Sequence, residues 1–186
     1  MKEKRRRILM LVLAGVALLL LVFRIANRNK PLEPMETETL ELTVDGEFQY
    51  GKLAWNLSYE KVQDLLAEKL SFHEERAPFP EYDAFYIARD AIRLNGQQGD
   101  LLLEFFNDKL NTVRFSFRLE GDHEGWFQSL ADRLTQLYGA PAETVSRQGS
   151  ITTAGYRWNK EHTTLQLVLQ YGEGIAPSGT VTMGLG

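Results

Sequence analysis

The chain contains no cysteine. Disulfide staples, cysteine-based zinc sites and thiol catalysis are therefore excluded. Histidine is scarce too, with three in 186 residues. His73-Glu74-Glu75, with Glu81 and Asp83 nearby, lacks the H-E-x-x-H spacing that puts two imidazoles on one side of a helix. It reads as a solvated charged loop. His123 and His162 stand alone, and no Ser-His-Asp arrangement follows from them. Gly172, Gly174 and Gly179 have no Lys-Ser/Thr and helix behind them, so they make a wide hairpin turn and not a phosphate loop. Positive charge is sparse in most of the chain. Residues 31–186 hold thirteen Lys/Arg against twenty-four Asp/Glu, a net of −11. Such a body has little with which to neutralise phosphates, which argues against nucleic acid as a partner. No catalytic residue, cofactor or metal is expected, and the protein is read as a non-enzyme.

Positive charge is concentrated at the other end. Residues 1–30 hold eight Lys/Arg and one Glu, a net of +7. Lys2, Lys4, Arg5, Arg6 and Arg7 precede an unbroken apolar run from Ile8 to Phe23, and Arg24, Arg28 and Lys30 follow it. A membrane-spanning helix needs about 20 apolar residues, with tolerance down to roughly 17. Snorkelling of Arg24 lets Ile25 and Ala26 lengthen the span. A cleavage site is poorly formed, because a cut after Ala26 would place Arg24 where a small residue is wanted. The expectation is a retained single-pass anchor over residues 8–26, with residues 1–7 as a cytoplasmic basic tail. The flanking charge puts the rest of the chain outside the cytoplasm. The protein is thus assigned to the cell membrane.

Residues 27–46 follow as a stem. Pro31 and Pro34 favour an extended spacer, and the charged stretch around them buries too little to offset its ordering entropy. Thr39 to Val44 alternates Leu40, Leu42 and Val44 with polar residues, as a short strand does. From there one pattern is written twice, over residues 47–121 and 122–186. Ser58 as N-cap and the apolar stripe Tyr59, Val62, Leu66 and Leu70 predict a helix over 58–70. Extended runs follow at 84–94, 101–106 and 110–119. Trp126, Phe127, Leu130, Leu134, Leu137 and Tyr138 predict a second helix over 124–138, closed by Gly139 and Pro141. Its extended runs lie at 154–158, 163–171 and 179–185. Val113, Phe115, Phe117 and Leu119 alternate with Thr112, Arg114, Ser116 and Arg118, the mark of a sheet covered on one side. A change of apolar phase between Ile87 and Ile92 predicts a bulge near Asp90. The expected fold is α+β. It comprises one N-terminal transmembrane helix, then two pseudo-repeats of a helix plus a three-stranded antiparallel sheet.

Four phrases carry a resemblance. They are Tyr50-Gly51-Lys52-Leu53-Ala54-Trp55-Asn56-Leu57-Ser58, the helix YEKVQDLL, the hairpin Phe105-Phe106-Asn107-Asp108-Lys109-Leu110-Asn111-Thr112-Val113, and LADRLTQLYGAP. Over residues 47–186 the chain resembles the tandem helix–sheet modules of β-lactamase-inhibitor-like proteins and the SmpA/OmlA (BamE-type) domains. The resemblance implies tandem helix–sheet units that bind proteins or peptides and are not enzymes. The chain departs from that pattern by carrying an anchor in place of a lipidated cysteine. That points to a plasma-membrane protein, not an outer-membrane lipoprotein.

Two surface features are candidates for partner binding. Arg114, Arg118 and Arg157 leave the outward side of predicted strands, with Arg93 beside them. A guanidinium fork pairs well with carboxylates; the plainer reading is a solvated face balancing local acids. The second feature is the loop Pro78-Phe79-Pro80-Glu81-Tyr82. Phe79 and Tyr82 suit interface anchors, or else cover a core edge. The function expected is a membrane-anchored, extracytoplasmic, non-catalytic binding or assembly module for a protein or cell-envelope component. The alternative is a sensory or regulatory domain for a small ligand, with a pocket between helix and sheet. A hydrolase is the third class, and it would need clustered carboxylates or a Ser-His pair in a cleft.

Overall fold

The computed structural model describes residues 35–36, 41–66, 73–75 and 84–186, the side chains at 35–36, 73–75, 84–85 and 143–148 excepted. Residues Glu33–Gly186 form one compact unit. In chain order the elements are β1 (Met35–Glu36), β2 (Thr43–Val44), β3 (Glu47–Phe48), α1 (Tyr59–Leu66), β4 (His73–Glu75), β5 (Ala84–Leu94), β6 (Gln97–Phe106) and β7 (Lys109–Arg118). Then come α2 (His123–Tyr138), β8 (Ala142–Gln148), β9 (Ile151–Asn159), β10 (Thr163–Gly172) and β11 (Ile175–Leu185).

Nine strands share one sheet, in the order β1-β5-β6-β7-β11-β10-β9-β8, with β4 also paired to β5. Every pairing in it is antiparallel except β1 with β5. β2 and β3 make a separate small hairpin. Alternation decides the faces. Leu101, Leu103 and Phe105 of β6, Val113, Phe115 and Phe117 of β7, Val181 and Met183 of β11, and Leu165, Leu167 and Leu169 of β10 all join one buried core. Each large apolar side chain so buried contributes about 1.5–3 kcal/mol relative to exposure.

Both helices lie on that core face. In α2, Trp126, Phe127, Leu130, Ala131 and Leu134 form the buried stripe. Asp122 caps it, its side chain accepting from the Gly125 N–H at 2.8 Å. Gly139 ends it at φ +86°, a conformation costly for residues with a Cβ. Trp126 presses so close to β11 that a Cβ on Gly179 would lie 2.5 Å from its ring. α1 is tied to the β6–β7 hairpin. The Tyr59 N–H donates to Asp108 Oδ1 at 3.4 Å, and the Tyr59 ring stacks on Tyr86 with centroids 3.6 Å apart. Asn107 and Asp108 both have positive φ, as a tight type I′ turn requires.

The expected pair of three-stranded repeats is not what forms. Four strands follow each helix, because His73–Glu75, expected as a charged loop, and Ala142–Gln148 are both strands. The two halves are not separate sheets either: β7 pairs with β11 over seven residue pairs, from Ser178–Arg118 to Gly184–Thr112. The reason is physical. Two three-stranded sheets would leave the ladder edges of β7 and β11 unsatisfied next to a core they share, and joining them satisfies both. The apolar segment 8–26 lies outside the described residues, as do Phe79, Tyr82 and the expected helical residues 67–70. No helix among the described residues is long and apolar enough to cross a membrane.

Candidate functional site

The face turned away from the helices is mixed. One cross-strand row runs through Ile87, Leu102, Arg114, Thr182, Gln166 and Arg157. Two of the arginines singled out from the sequence are therefore in the same row, but both are already held. Arg114 Nη2 lies 3.0 Å from Glu104 Oε1, and the Glu104 side chain is only 5 % exposed. Arg114 thus compensates a buried carboxylate, which would be costly alone. Gln166, oriented with its amide oxygen toward Arg157, accepts from Arg157 Nη2 at 2.7 Å and Nε at 3.1 Å.

Arg118 is different. It lines a cleft of about 610 Å³ at the end of the same face. Among the described residues it has no ion-pair partner. The cleft is built on the bulge in β5. Pairing with β6 steps from Ala88–Leu101 to Ile92–Gly99, so Arg89, Asp90 and Ala91 face Asp100 alone. Asp90 takes φ +52° to make the detour. Its loosened backbone is secured by side chains of β6. Asp100 Oδ1 accepts from the Asp90 N–H at 2.9 Å, and Gln98 Nε2 donates to the Asp90 carbonyl at 3.2 Å. The other oxygen of Asp100 takes Arg89 Nη1 at 2.6 Å. Ser116, Arg118 and Ser178 close the opposite wall. Arg89 and Asp100 thus cancel one another. The Asp90 carboxylate and the Arg118 guanidinium remain, both exposed and neither paired among the described residues. Bulges gather at binding sites because they re-aim side chains in this way.

Elsewhere, Glu47, Glu161 and His162 bring ligand atoms within 4.8 Å of one another. Hydrogen bonding already accounts for Glu47. It accepts from the Thr163 hydroxyl and from the His162 N–H, and the Thr163 hydroxyl in turn accepts from the buried Phe48 N–H at 2.8 Å. The Thr163 hydroxyl, foremost, holds the Glu47 carboxyl below the usual carboxylate range. The group links the β2–β3 hairpin to the main sheet and has the character of a structural tie. On the core face, burial pushes the Tyr50 phenol up to about 12.

Sequence reading proposed Arg118 but missed its setting. Asp90 was visible only as a break in apolar phase. The sequence signal for Glu104 is a lone carboxylate inside the apolar run Leu101-Leu102-Leu103-Glu104-Phe105-Phe106. Phe79 and Tyr82 lie outside the described residues. No protein family, no characterised protein and no solved structure matches this chain.

Proposed function

We propose that the protein is a membrane-anchored, non-catalytic binding module that holds a protein or cell-envelope component outside the cytoplasm, with the cleft at Arg118 as its contact. The observation that supports this is the Arg118 guanidinium, without an ion-pair partner among the described residues, in a recess whose walls are fixed by sheet pairing and by the Asp100 contacts. Preorganised charge of this kind favours binding because little ordering remains to be done. The anchor over residues 8–26 rests on the sequence alone. The volume of the cleft also falls in the range of small-molecule sites, about 300–1,000 Å³. That favours, as the second reading, a sensory domain for a small ligand.

The test is a photoreactive amino acid at Ser178 in intact cells carrying the full chain. A defined adduct is expected at Ser178 and not at exposed Ser129 on α2, and Arg118→Gln should reduce it at least tenfold. An adduct indifferent to Arg118, or none, removes the cleft from the function. Alkaline phosphatase fused after Gly186 should be active and pellet with membranes; an inactive fusion reverses the topology.

A further inference from the structure

From the charges left over in the cleft we infer its ligand class: a peptide carrying one carboxylate and one ammonium group on the same side of an extended backbone. This rests on the binding reading above and sharpens it. Arg118 supplies a fork for the carboxylate, with Ser116 and Ser178 as neutral hydrogen-bonding partners. Asp90 supplies the counter-charge for the ammonium. Arg89 is unsuited to the carboxylate because Asp100 already holds it at 2.6 Å. Asp90 and Arg118 stand on β5 and β7, with β6 between them. Asp90 falls opposite Asp100, whose partner on β7 is Ser116, so Arg118 lies two strand spacings across and two residues further along; their backbones are about 12 Å apart. In an extended peptide, side chains two residues apart share a side at about 6.5–7 Å. The long arm of Arg118 covers the remainder. A purely anionic ligand would meet Asp90 as a repulsive wall, so the cleft selects by repulsion as well as by attraction.

Two sources offer this chemistry, a loop of a protein and a short peptide of the cell envelope. The experiment is a chemical-shift titration of isotopically labelled full-length protein in detergent micelles. Three probes are used: acetyl-Lys-Gly-Glu-amide, its Lys→Gln analogue and its Glu→Gln analogue. The doubly charged probe is expected to bind at least tenfold tighter than either analogue, with shifts centred on β5–β7. Asp90→Asn keeps a residue that tolerates positive φ. It should abolish the preference over the Lys→Gln analogue while leaving that analogue's affinity unchanged or improved. Arg118→Gln should abolish binding of both. Equal affinity for the doubly charged probe and the Lys→Gln analogue, or indifference to Asp90→Asn, overturns the two-charge inference and leaves an Arg118 carboxylate site standing. Indifference of every probe to Arg118→Gln overturns both. Repeating the titration with the peptide of inverted chirality separates the sources. Loss of binding favours a protein loop, and retained binding favours an envelope peptide containing D-residues.

Discussion

The two faces of the sheet come from the same strands by the same alternation, yet they are finished in opposite ways. On the helix-covered face rings pack against rings. Tyr50 stands edge-on to Phe115 at 4.8 Å, Phe117 lies against Trp126 at 5.3 Å, and Tyr59 and Tyr86 stack. On the other face, Arg114, Arg157 and Arg89 are each held by a polar side chain, and Arg118 at one end has no ion-pair partner among the described residues. Arg114 has Glu104, Arg157 has Gln166 and Arg89 has Asp100, while Arg118 has none of these. The difference teaches that exposure of an arginine says little about its availability. Arg114 and Arg118 are four residues apart on one side of β7, and only Arg118 is available to a ligand.

Substitutions can break or sharpen this contrast. The largest effect is expected on the covered face. Phe115→Ala should destabilise the protein by about 3–5 kcal/mol in urea unfolding; a loss below about 1 kcal/mol would show that the two halves do not share a core there. Next comes alkaline pH. The phenol of Tyr50 has a folded pKa raised from 10 to about 12, so the folded protein holds that proton more tightly than the unfolded chain. The contribution is complete below pH 10 and lost as pH rises through 12, on the order of 2–3 kcal/mol. Tyr50→Phe should remove this share of the alkaline loss, seen by comparing unfolding at pH 9 and pH 11.5.

Smaller effects belong to the other face. Arg114→Ala should cost about 1–3 kcal/mol by leaving the Glu104 carboxylate buried without its partner, an amount reduced because Arg114 itself is partly solvated. Adding Glu104→Gln should return part of it. Arg118→Ala should change stability by less than about 0.5 kcal/mol. Equal costs at Arg114 and Arg118, measured by thermal unfolding, would erase the distinction between them. The same reasoning rules out a joint Arg114/Arg118 replacement as a clean probe of binding, since it disturbs the fold as well.

Alternation was the most legible feature of the sequence. Val113, Phe115 and Phe117 against Arg114 and Ser116, and Leu165, Leu167 and Leu169 against Gln166, are patterns that only a half-buried strand satisfies. The closing of α2 at Gly139 was legible for a similar reason, since few residues tolerate its φ. What sequence could not supply was the pairing of β7 with β11, because two strands with equally good apolar faces give no sign of which edges meet. β8 was missed because Ala142–Gln148 is polar and lies at the sheet's end, where a strand needs only backbone partners on one side. The cleft was hidden for a different reason. Its charged groups come from three strands, and the bulge that aims Asp90 is held by Asp100, which becomes its neighbour only in register.

The place of β11 has a consequence for how the molecule is made. It is the last strand in sequence and sits between β7 and β10, inside the sheet. From Arg118, where β7 ends, about sixty residues must be synthesised before β11 arrives. At roughly 5–20 residues per second that is a wait of about 3–12 s. During it β7 offers a bare hydrogen-bonding edge beside Phe115 and Phe117, a template on which another nascent chain can add. Timing, as much as thermodynamics, therefore bears on yield. Slower synthesis through residues 119–174 should raise the aggregated fraction, and a holdase that covers β7 during that interval should lower it.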